Sequence, residues 1–199
     1  MTVALHTIAL ETMVLDTVMP SWDVTIAEHV IVRTDPATTF RAARGLDFLR
    51  VHTPLLDAAM WARGLPSRLA GRPVVAPPRL VLAEGDPLPG WAVLGEQPDR
   101  ELAFGAVGKF WQPDIEWRDV APEEFAAFAE PGWGKIAADF SVNPYGARAT
   151  LLTYECRTTT TDAESRRTFL RYWWLVRPFV GHIFRATLAT IRDEAEATS

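Results

Sequence analysis

From Asp162 to Ala195 the chain reads as one continuous helix, and this segment limits what the rest can fold into. Thr161 followed by Glu164 has capping-box spacing, which satisfies orphan backbone donors at a helix start. Apolar residues then recur at helical intervals: Phe169, Trp173, Val176, Val180, Phe184, Leu188 and Ile191. At ~100° per residue, Trp173, Val180, Phe184 and Ile191 share one line, with Leu175 and His182 opposite. Such a helix is about 50 Å long, more than the width of a small domain, so it needs a broad surface beneath it. Pro178 interrupts the stripe by deleting the hydrogen bond to the Trp174 carbonyl, which predicts a kink. Arg177 lies near the stripe and has two readings. Its stem packs at the edge with the guanidinium in water, or it is a cationic anchor in an apolar cavity.

The preceding sequence supplies strands. Val24 to Arg33 alternates and is rich in β-branched residues. Asp35-Pro36 is a cap followed by a first-turn proline and opens a helix to about Gly45. Thr53-Pro54 opens a second short helix that stops at Gly64. A loop over residues 64–78 follows, then strand-like runs at Arg79 to Ala83, Trp91 to Glu96, Glu101 to Trp111 and Ile115 to Val120. Gly105 and Gly108 within the third run favour a bulge or sharp bend. Ala121 to Phe125 starts a helical turn with early carboxylates. Lys135 to Val142 and Ala147 to Thr158 flank the turn Asn143-Pro144-Tyr145-Gly146 as a hairpin. The class is therefore α+β: a bent antiparallel sheet that must bury one face, and a terminal helix long enough to cover it.

That order of elements resembles the START-like, helix-grip superfamily of polyketide cyclases, lipid-transfer domains and birch-pollen-allergen-type proteins. The resemblance spans Asp23 to Ala195 and rests on "VTIAEHVIVRTDP", "ATTFRAARGLDF", the strand series and "FLRYWWLVRPFVGHIFRATLATI". It implies a curved antiparallel sheet wrapped around the C-terminal helix, with two short helices after the first strand and an apolar ligand cavity between sheet and helix. It carries over no catalytic residue set. Residues 22–197 then form one domain, and residues 1–21 lie outside the pattern as an extension. That extension is either an additional helix or strand, or an over-long translation start with Met19 as the real beginning. The segment Pro122 to Trp133 is also additional, and at the cavity mouth it would modify access.

Composition excludes several functions. A net charge of −5 argues against sequence-independent nucleic-acid binding. No run approaches the length of a membrane span. The single Cys156 excludes an internal disulfide, fits the cytoplasm and reads as inert packing. His6, His29, His52 and His182 have no metal-ligand spacing, and no nucleophile elbow, P-loop or dinucleotide fingerprint occurs, so neither metal nor cofactor is expected. "GAVGKF" at Gly105 to Phe110 lies in a strand pattern and reads as sheet curvature.

Aromatic residues are spread over nearly every element and read either as plain core or as cavity wall. The expected ligand-facing set is Trp61, Trp91, Phe104, Phe110, Trp117, Phe140, Tyr154, Trp173, Arg177 and Phe184. Strand parity groups Phe104 with Phe110 and Ala138 with Phe140, facing the helix. Asp114, Glu116, Asp139 and Glu155 are solvated groups on an exposed sheet face or, if a pair converges in the cavity, general acid–base material. Three functions remain open: binding of an apolar small molecule such as a lipid, polyketide or aromatic metabolite; a cyclase or dehydratase in the same cavity; and a packed interaction module. A second copy of the chain is compatible with any of them.

Overall fold

The computed structural model describes residues 12–51 and 90–198. The second expected helix, the strand Arg79 to Ala83, His52 and Trp61 lie outside the described residues. Strands β1 (Val24–Val32), β2 (Trp91–Gln97), β3 (Glu101–Gly108), β4 (Trp117–Arg118), β5 (Gly134–Tyr145) and β6 (Ala149–Thr160) form one sheet in the order β1-β6-β5-β3-β2, with β4 beside β3. Every pairing is antiparallel. Helix α1 (Val14–Val18) precedes β1, α2 (Pro36–Arg44) follows it, α3 (Pro122–Phe125) precedes β5, and α4 (Ala163–Ala197) closes the chain. This open sheet gripped by a long C-terminal helix is the helix-grip arrangement.

Local chemistry explains the helix starts. Asp35 caps α2, its carboxylate accepting from the Thr38 amide at 2.9 Å and the Thr38 hydroxyl at 2.8 Å. At α4 the cap is Asp162 rather than the expected Thr161–Glu164 box. The Asp162 carboxylate accepts from the amides of Glu164 and Ser165, both at 2.9 Å, and from the Gly132 amide at 2.6 Å. These donors hold its carboxyl at about 2. Thr161 instead donates its hydroxyl to the Trp133 carbonyl, tying the helix start to the residue that leads into β5.

Four strand expectations need correction. β3 stops at Gly108, so Phe110 lies beyond it, and the run Ile115 to Val120 pairs only at Trp117–Arg118. β3 pairs with β5 without interruption through Gly105, and the register shift falls in β2 between Val93 and Gly95. Gly105 is needed for proximity instead: a Cβ there would meet the Ile136 carbonyl oxygen at 2.6 Å and the Leu94 Cδ1 at 2.7 Å. The hairpin turn also lies later than expected, because Pro144 still pairs with Thr150 and Gly146 takes the positive φ of 68°.

Both faces of the sheet are covered. The concave face carries Leu102, Phe104, Ala138, Phe140, Val142, Leu152 and Tyr154, which pack with Phe184, Leu188 and Ile191 of α4 and with Phe40 and Ala43 of α2. On the convex face Val107 and Ala137 are buried with Leu15 and Met19 from the N-terminal segment and with Phe125 and Trp133. Pro122 to Trp133 thus packs across the sheet from the helix side, on the face where solvated charges were expected.

That second core encloses polar groups. Glu101 is fully buried, and its carboxylate accepts from the amides of Val14 at 2.6 Å and Leu15 at 2.8 Å, capping α1. Lys135 donates to the carbonyls of Phe125 at 3.2 Å and Ala126 at 2.9 Å. Asp139 lies between Ala103 and Glu155 in register, buried, with its Oδ1 unbonded. Burial pushes its carboxyl well above the usual range, and the nearby Glu101 and Glu155 push it further. The Ser141 hydroxyl and the Arg157 guanidinium oppose that. Burial likewise raises Glu101, although the two amides hold it back.

The folded state therefore holds a proton on Asp139 that the unfolded chain releases near pH ~4. In that window the native state binds more protons, so stability falls as pH rises from about 4 through the native pKa. Asp139→Asn should flatten this decline and raise stability most at alkaline pH, read as urea midpoints across a pH series. An unchanged slope in the variant would contradict the assignment.

Candidate functional site

Ten aromatic side chains form a chain of contacts that leaves α4, crosses the concave face and returns to α4. Phe184 stacks on Tyr154 with centroids 3.8 Å apart, and Tyr154 meets Phe140 at 4.5 Å. Phe140 touches Phe104 at 5.5 Å, and Phe104 touches Trp91 at 5.9 Å. Trp117 follows at 6.2 Å from Trp91, then Phe110 at 5.8 Å. Trp111, Phe169 and Trp173 complete the circuit at successive separations of 6.3, 6.3 and 6.1 Å.

Small residues permit this path. A Cβ at Gly108 would meet the Phe110 and Trp117 rings at 2.9 Å, and one at Gly134 would meet the Phe110 ring at the same distance. Phe110 and Trp117 thus lie on the two glycines of adjacent strands, at the end of the sheet nearest the start of α4.

Between the two ends of this path lies a stretch of α4 without a fully buried residue. Phe169 and Phe184 are buried, but no residue from Leu170 to Val180 is. On the helix-facing side of β3, β5 and β6 lie Ala106 and Ala138, which are buried, and Ile136 and Cys156. Ile136 and Cys156 belong to the two central strands yet are only half-buried. Burial nevertheless pushes the Cys156 thiol up to about 12, so it is neutral and unreactive at neutral pH.

An open groove of about 1050 Å³ runs alongside, between β1 and the middle of α4. Ile26 and Glu28 line it from β1, and Trp173, Arg177, Pro178 and Gly181 from α4. Ile26, which lines the groove, pairs in register with Cys156. Glu28 points inward at the groove and is paired with Arg185. Arg177 is exposed at the rim and has no ion-pair partner among the described residues. It does not lie at the bottom of an apolar cavity.

The expected site residues therefore divide. Phe104, Phe140, Tyr154 and Phe184 pack on one another as core. Trp91, Phe110, Trp117 and Trp173 continue the path of ring contacts, and Trp173 and Arg177 open onto the groove. Glu28, Gly181 and Arg185 were missed, because alternation marks Glu28 as inward but only the packed helix shows what it meets. Among the described residues no cluster of His, Cys, Asp or Glu could hold a metal ion. None of their helices is long and apolar enough to cross a membrane.

No family model matches the chain, and no curated protein matches it in sequence. Solved structures do. Protein MLL2253 from Mesorhizobium loti is 13% identical over 88% of this chain and 99% of its own, with a TM-score of 0.38. TTHA0849 from Thermus thermophilus is 10% identical over 88% and 99%, with a TM-score of 0.32. The Zhui aromatase/cyclase from a Streptomyces species is 12% identical over 87% and 93%, with a TM-score of 0.29. Likeness at this level transfers no chemistry; the helix-grip assignment rests on the strand order and the helix described above.

Proposed function

We propose that the protein binds an apolar small molecule between the sheet and the middle of α4, entered from the groove beside β1. One observation carries this reading: Ile136 and Cys156 keep accessible surface in β5 and β6, and no residue of α4 from Leu170 to Val180 is fully buried. Aromatic walls around small floor residues suit a planar or branched apolar ligand, held by area and shape with few polar contacts. Arg177, exposed at the rim without an ion-pair partner among the described residues, suits a carboxylate on the ligand's outer end. Lipids, polyketides and aromatic metabolites with one acidic end are the class that fits.

Native mass spectrometry of the purified protein, followed by denaturation and identification of any released compound, tests occupancy. A long-chain fatty acid and its methyl ester then test the anchor. Arg177→Ala should weaken the acid by about tenfold, the scale of one charge-assisted hydrogen bond, and leave the ester unchanged. Equal losses for both would remove Arg177 from the site. Failure of every apolar probe to bind would remove the site itself.

A further inference from the structure

The outward face of α4 has a chemistry that its groove-side neighbours do not explain. Trp174 is 82% exposed and Leu175 71%, the two most exposed large apolar side chains among the described residues, and Leu170 is exposed beside them. Arg167 and Arg171 are exposed on the same side, within roughly 100° of Trp174 by helical rotation. Neither has an ion-pair partner among the described residues, whereas Arg166 is paired with Asp23 and Arg185 with Glu28. From Ser165 to Arg192 there is no aspartate or glutamate, although the whole chain has a net charge of −5. Positive charge is thus concentrated on one helix face, interleaved with exposed Trp and Leu.

We propose that this face docks on the surface of an anionic lipid bilayer. Charge complementarity selects the occupant. The unpaired arginines suit a dense negative surface, and the apolar side chains between them need a phase into which they can sink, which a bilayer offers just below its headgroups. Tryptophan is well suited to that boundary, with an apolar ring and a polar N–H edge. Free polyanions would meet the arginines and leave Trp174 and Leu175 in water. The docking surface stands independently of what the groove holds. Only one consequence rests on the proposed ligand: because Leu170, Trp174 and Leu175 also border the groove, docking would bring its mouth against lipid.

The test is co-sedimentation of the full chain with vesicles of equal parts phosphatidylglycerol and phosphatidylcholine, against vesicles of phosphatidylcholine alone. Light scattering of the same samples gives the oligomeric state. Binding is expected on the anionic vesicles only and should decline as salt is raised. Each basic residue near such a surface is worth about fivefold in partitioning, so Arg167→Gln with Arg171→Gln should weaken binding about 30-fold. Trp174→Ser with Leu175→Ser should also weaken it while tryptophan-independent circular dichroism shows an intact fold. Equal binding to both vesicle types would overturn the proposal, as would no binding at low salt. So would a dimer that the Trp174/Leu175 variant dissolves, in a protein that ignores vesicles; that face would then belong to a second copy. Vesicle binding with an empty groove would uphold docking and count only against the ligand reading.

Discussion

Phe140→Ala is expected to destabilise the protein by about 3–5 kcal/mol, the range for emptying a fully buried aromatic site. Phe140 has no exposed surface and touches the rings of Phe104 at 5.5 Å, Tyr154 at 4.5 Å and Phe48 at 6.3 Å. Alanine would forfeit the transfer free energy of the ring, the ring–ring terms and the contacts its neighbours make with it. Collapse cannot recover much of this. The neighbours on β3 and β6 are fixed by unbroken ladders on both sides of β5, and Tyr154 is already stacked on Phe184. Phe140→Leu, which retains most of the volume, should lose well under half as much. Urea denaturation would give the difference, and thermal midpoints should drop by about 2–4 °C per kcal/mol for a chain of this size. A loss below about 1 kcal/mol for alanine would show that these aromatics do not form one packed unit.

The second large effect belongs to Arg157 on the opposite face. Its guanidinium is nearly buried and holds the N-terminal segment to β6 through three residues. It pairs with Asp16 at 2.7 Å, donates to the Met19 carbonyl at 3.1 Å and lies 4.1 Å over the Trp22 ring. It also pairs with Glu155 at 2.7 Å, beside the buried Asp139. Arg157→Met keeps the stem but removes the cation that contacts both Glu155 and Asp16. One-sided removal of a buried pair is costly because the partner charge stays behind. About 2–3 kcal/mol is expected, below the full range because Asp16 is half exposed. The local readout is sharper: hydrogen exchange at the amides of residues 14–19 should accelerate well beyond that of β5 and β6. Uniform acceleration across the chain would instead mean that Arg157 serves the domain as a whole.

Much of the architecture was legible in the chain itself. A 35-residue helix, strands with period-two alternation and Asp35-Pro36 at a helix start are local signals, set by propensity and capping within a few residues. Parity grouped Phe104 with Phe110 and Ala138 with Phe140, because a pleated strand leaves its side chains only two directions, and the packing shows that Phe104, Ala138 and Phe140 face the helix. The misplacements came from contacts between distant segments, which local signals do not report. Several groups compete to cap α4, and Asp162 prevails because it reaches the Gly132 amide as well, a residue 30 positions away in the chain. Gly105 signals a missing Cβ but not whether the reason is a bend or a neighbouring carbonyl.

What only tertiary structure decided is what each face meets. Asp139 alternates like any solvated strand residue, and it is buried because Leu15, Met19, Phe125 and Trp133 come from distant segments to cover that side. Aromatic residues that were interchangeable in the sequence separate into those that pack with Phe184 in the core and those, such as Trp173, that open onto the groove. Periodicity reports that a side chain points inward. The distance between the two surfaces there is set by every contact along their length, so the groove beside β1 and the exposed face of Trp174 exist only once helix and sheet are brought together.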